Sequence, residues 1–189
     1  MPFIQAKKIR TPQGCNLIPN DKPGWYRWWA PKPALDELLG QYKGYGDLLP
    51  HLTCKDEQYL IYVGIAVRES ILARLRWHII PTVPQTLPNV RSGRLSTLRQ
   101  SISSLVGRDQ LDTQATDNLI DQLTVEYFPC PHPIGSQEAK DFIEECELKE
   151  LENNAVPLNI QNNGHTHIQA FKTYLKLSRK EAKQHALNQ

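Results

Sequence analysis

The chain has little with which to bind a metal through sulfur, cross a membrane or cradle a nucleotide. Its four cysteines, Cys15, Cys54, Cys130 and Cys146, stand far apart, and no two have the two-residue spacing that zinc sites favour. No apolar stretch nears the roughly 20 residues needed to span a bilayer. Met1 to Arg10 carries charge where a secretory leader has an apolar run. A reduced, cytoplasmic protein without membrane contact is the expectation. There is no glycine-rich phosphate loop, no internal repeat and no low-complexity tract.

What is present is unevenly placed. The 189 residues, 40% of them apolar, suit one domain with decorations. The net charge of +2 conceals three blocks. Ile65 to Arg108 holds seven arginines (Arg68, Arg74, Arg76, Arg91, Arg94, Arg99, Arg108) against Glu69 alone. Asp109 to Glu152 reverses this with twelve acids against Lys140 and Lys149. The end turns basic again through Lys172, Lys176, Arg179, Lys180 and Lys183. An Arg-rich block suits a phosphate backbone, and equally a solvated helix face.

Hydrophobic periodicity and proline punctuation give the expected elements. Prolines at 2, 12, 19 and 23 predict an irregular arm over 1–23. Gly24–Ala30, rich in Trp, and Tyr59–Ile65 read as strands; 31–58 between them reads as a surface insertion holding one short helical pattern, Ala34 to Leu39. Ile71, Leu72, Leu75 and Ile79 predict a helix over 68–79, and Pro81, Pro84 and Pro88 a loop after it. Ser96 caps a helix that stops near Gly107, Thr113–Leu123 is another, and Thr124–Phe128 alternates like a third strand. Ser136 caps a helix from Gln137 to about Asn153, with Ala139, Phe142, Ile143 and Cys146 inward. A basic amphipathic helix closes the chain within 164–189. The fold class expected is α/β (α+β), a small three-stranded antiparallel sheet flanked by helices.

The first two strands each join a Tyr to a Gly, in Gly24-Trp25-Tyr26 and Tyr62-Val63-Gly64. The helix that follows carries Arg74 and His78, four apart and so on one face. A later helix offers Glu144 and Glu147, and Asn159 lies beyond it. Glu147 falls at the border of that helix's apolar face, roughly 90° from its centre, whereas Glu144 points nearly opposite. A ligand belongs where the core meets solvent, which favours Glu147 and keeps Glu144 in reserve.

In this order the motifs resemble those of the GIY-YIG nuclease family, over 24–163. Trp25 and Val63 depart from the residues in the family name, and Tyr26 and Tyr62 stand 36 positions apart where many members have a short hairpin. The resemblance implies a GIY-YIG-like fold and hydrolysis of DNA phosphodiesters by water, with one divalent cation, Mg²⁺ or Mn²⁺, on Glu147. It implies that Arg74 holds the phosphate, Tyr26 takes the proton from water, Tyr62 positions, His78 assists proton traffic and Asn159 braces the site. Gly24 and Gly64 would be the motif glycines. Double-stranded DNA is the expected partner, with Arg76, Arg94 and Arg99 as phosphate contacts. A homodimer that cuts both strands is compatible with this, and a catalytically silent DNA-binding module is the alternative. His165 and His167, without acids or Cys nearby, predict no metal site.

Overall fold

The computed structural model describes residues 3–80 and 83–189, so Pro81 lies outside the described residues. Among the described residues, five antiparallel strands form one sheet, in the order β1-β5-β2-β4-β3, rather than the three expected. The two extra strands, β1 (Ile4–Gln5) and β3 (Cys54–Lys55), are only two residues long, too short for alternation to show. The centre is β2 (Gly24–Pro31), where tryptophans favour the pleated, extended state. It pairs on one side with β4 (Gln58–Ala66) and on the other with β5 (Thr124–Pro129).

Both sheet faces are covered. Tyr26, Trp28 and Ala30 enter the main core, with Ile71 and Leu75 of α5 (Ile71–Ile79) and with Leu98 and Ile102 of α7 (Thr97–Val106). Trp29, Leu60 and Val63 pack with Leu151 of α9 (Gln137–Asn153), while Trp25 meets Ala139 and Ile143 of the same helix. Burying each such side chain contributes on the order of 2 kcal/mol.

Four sequence expectations are corrected. The arm over 1–23 is not irregular throughout: after β1 come α1 (Ala6–Ile9) and α2 (Pro12–Cys15), with Ile9 and Ile18 buried. The 31–58 segment is not merely an insertion over the surface. The short helix expected there is present as α3 (Lys32–Leu39), which starts on a proline-bearing first turn but buries Ala34, Leu35, Leu38 and Leu39 in the core. Its α4 (Tyr45–Leu48) buries Leu48. The Pro-rich stretch after Ile80 holds α6 (Leu87–Ser92), because Pro88 sits in the first turn, where its missing N–H costs nothing. Phe142 is 37% exposed rather than inward; it meets the Trp25 ring edge-on.

Between α7 and β5 lies α8 (Thr113–Ile120). The closing basic helix is α10 (Gln169–Leu187): Phe171 and Leu175 belong to the main core, and Ala182 and Ala186 are buried further along. Its inner stripe lays it against α7 and α6.

Candidate active site

The local geometry begins with β2 and β4 side by side. Tyr26 stands opposite Gly64 in the ladder, and Trp28 opposite Tyr62, despite the long connection between the strands. A Cβ added at Gly64 would lie 2.5 Å from Oη and Cζ of Tyr26. The phenol therefore crosses β4 where the chain has no side chain. At Gly24 a Cβ would meet the Phe128 carbonyl oxygen at 2.2 Å and Ile71 Cδ1 at 2.8 Å, so this glycine lets β5 and α5 approach.

Ser70 caps α5, its hydroxyl accepting from the Ala73 N–H. The helix therefore starts at Ile71, three residues later than expected. Its last turns aim Arg74 and His78 at the same place. Tyr26 Oη and His78 Nε2 are 2.7 Å apart, both residues being buried. The rings of Tyr26, Trp28 and Tyr62 surround the imidazole edge-on, with centroids at 5.7, 5.9 and 5.9 Å. Burial, aided by the Arg74 and Arg99 charges, pushes His78 down to about 3, so the ring is neutral at ordinary pH. Its Nδ1 has no hydrogen-bond partner.

The two tyrosines are held as phenols. Burial raises Tyr62 to about 12, with Glu147 adding to the rise and Arg74 opposing it. Tyr26 is raised well above its usual value, first by burial and then by Tyr62, while Arg74 again pulls the other way. Arg74 donates from Nη2 to Glu69 Oε1 at 2.7 Å, and its buried Nε is unpartnered.

A cleft of two lobes opens over these groups. The smaller, about 280 Å³, is lined by Tyr26, Tyr62, Gly64, Arg74, His78 and Glu147. The larger, about 520 Å³, takes in Glu144, Asn159 and Arg179 and shares Tyr62, Thr97 and Glu147 with the first. Glu147 thus borders both lobes and Glu144 only the larger. Burial, and then repulsion from Glu144, raises the Glu147 carboxyl above the usual range.

Asn159 lies one layer further back. Its Nδ2 donates to the Val63 carbonyl and its Oδ1 accepts from the Val63 N–H, both at 2.8 Å. This amide clamp fixes β4 between Tyr62 and Gly64. Arg76 and Arg94 are exposed. Arg99, expected as a phosphate contact, is 1% exposed and fully engaged inside. It binds Asp117 at 2.8 Å, the His78 carbonyl at 2.9 Å, and Gln85 Oε1 through Nε and Nη2. It secures the end of α5, so that expectation is corrected.

A family model for the GIY-YIG catalytic domain matches residues 24–181. The chain belongs to the GIY-YIG family. No curated protein and no solved structure matches it. The match runs past Asn159 into α10, so the GIY-YIG region takes in Arg179 as well as the motif residues. Membership points to a nuclease-type activity with DNA as substrate. Two residues at the site escaped the sequence reading: Glu69, which pairs with Arg74, and Arg179, which lines the larger lobe. Arg179 stands four residues after Leu175 and three before Ala182, on the inner stripe of α10, and that spacing was its signal.

Proposed function

We propose that this GIY-YIG chain is a divalent-metal-dependent endonuclease that hydrolyses phosphodiester bonds of double-stranded DNA with water. The observation that carries the reading is the buried Tyr26–His78 pair facing a cleft that also receives Arg74 and Glu147.

Among the described residues no three His, Cys, Asp or Glu side chains form a metal cage. A caged soft metal therefore does not suit the site. A hard cation such as Mg²⁺ or Mn²⁺, which needs only one or two carboxylates and keeps its waters, does suit Glu147 in a cleft of this size. The raised Glu147 carboxyl, beside Glu144, is a donor pair whose repulsion a cation relieves. When bound, such an ion supplies charge neutralisation for the phosphate and the leaving 3′ oxygen.

The chain's own groups do the rest. Arg74 presents a planar, permanently charged fork to the phosphate, exchanging Glu69 for a non-bridging oxygen. An orphaned buried N–H is rarer than an orphaned acceptor, so the unpartnered Nδ1 favours the tautomer in which His78 Nε2–H donates to Tyr26 Oη. That bond turns the phenol toward the cleft and stabilises its phenolate, the form that accepts a proton from water. Tyr62, at the junction of the lobes, positions water or phosphate, and Asn159 keeps its strand in place.

Incubation with supercoiled plasmid tests this. Cleavage with Mg²⁺, none with chelator, and none from Glu147→Gln are the expected results. Salt-sensitive binding without products from any DNA form would favour the silent module instead.

A further inference from the structure

Arg179 is the one cation of α10 set between the cleft and the core. Its side chain is half-buried, and burial lowers its pKa. Withdrawing a guanidinium from water is costly unless an anion compensates. Among the described residues no carboxylate lies within salt-bridge distance of it; its side-chain partner is the neutral Gln100 Oε1. Arg99, next in the chain to Gln100, shows the contrast, since Asp117 balances it.

The surroundings of Arg179 fit a phosphate. It lines the larger lobe with Thr97, Gln161 and Asn162, side chains that can donate hydrogen bonds. It also borders a shallow hollow of about 290 Å³ with Lys180 and Lys183, so positive charge continues outward along α10. Arg74 occupies the smaller lobe and Arg179 the larger, with Tyr62 and Glu147 common to both. A nucleic-acid strand crossing the cleft meets one arginine on each side of the carboxylate.

We propose that Arg179 binds a phosphate of the cleaved strand next to the scissile one, fixing the register in which the scissile phosphate meets Arg74 and Glu147. This rests on the nuclease reading and adds a second phosphate site to it. The missing anion beside Arg179 is then supplied by substrate.

The test is binding of a short fluorescent DNA duplex in chelator, where no turnover occurs, over a range of salt, for wild type, Arg179→Gln and Arg179→Lys. Loss of one phosphate contact predicts about tenfold weaker binding by Arg179→Gln and a salt slope smaller by about one. Because Arg179 fixes the register, single-turnover cleavage at saturating duplex should slow as well in Arg179→Gln. Arg179→Lys keeps the slope but, lacking the fork, binds about threefold more weakly than wild type. If the glutamine variant melts early, the lysine variant decides, and wild-type affinity in it overturns the proposal. Unchanged affinity and slope in Arg179→Gln, with wild type cutting normally, overturns Arg179 and leaves the nuclease reading intact. A wild type that binds with the expected Arg179 dependence but never cuts leaves the phosphate site and overturns the nuclease. No binding by wild type overturns both.

Discussion

The Tyr26 phenol lies across Gly64, so close that a single added carbon there would stand 2.5 Å from the hydroxyl oxygen. The glycine of the second motif is thus a space requirement of the tyrosine of the first. Gly64→Ala must push the ring away from His78. Overpacking of this kind costs about 1–3 kcal/mol of stability, whereas a misplacement of roughly 1 Å costs about 100-fold in rate. Cleavage should therefore fall far more than the melting temperature, measured by single-turnover kinetics beside thermal unfolding.

Acid should destabilise the fold through His78. Its folded value of about 3 lies below the unfolded value of about 6.5, so below the latter only the unfolded chain takes up the proton. Stability is fully present above about 6.5 and falls by up to about 1.4 kcal/mol per pH unit toward about 3. Urea unfolding at several pH values checks this. His78→Phe, of similar shape and without the titration, should lose less stability than wild type between those limits.

The cleavage rate should rise with pH over the alkaline range. The raised Tyr26 phenol leaves little phenolate near neutrality, and each pH unit increases that fraction about tenfold until the group titrates. Single-turnover rates across neutral to alkaline pH test it, and a flat profile would remove Tyr26 from proton transfer.

Arg99 and Arg94 should separate cleanly. Arg99→Met leaves Asp117 with Arg10 alone and strips the His78 carbonyl and Gln85 of their donor, for a loss of about 3 kcal/mol. At saturating stability it should not alter the salt slope of DNA binding. Arg94→Gln, at an exposed position, should do the reverse.

On the proposed reading, Glu69 holds the guanidinium that the phosphate must take. The pair is about one-third exposed on each side, so breaking it costs under about 1 kcal/mol. Glu69→Gln should bind DNA up to about fivefold more tightly in chelator.

How far these relations could be read in the chain depends on their range. The motif order gave β2, β4, α5 and α9, because aromatic strands and helical spacing are local signals. Ser96 and Ser136 were legible as caps for the same reason, and each accepts the bond expected of it. The two-residue strands were not, since their pairing is decided by partners far along the chain. Arg99 misled because its charge outweighed its spacing: it lies three residues before Ile102, on the buried side of α7. Glu69 was visible only as the lone acid in a basic block, and its role depends on the turn before α5.

The most direct test of the site is the single-turnover cleavage rate of a defined duplex by wild type, Tyr26→Phe and Glu147→Gln, with Mg²⁺ added and withdrawn. Each variant should still bind the duplex but cut at least about 1000-fold more slowly, and wild type without the ion should match them. Cleavage by Tyr26→Phe and Glu147→Gln at the wild-type rate would contradict the assignment of the cleft.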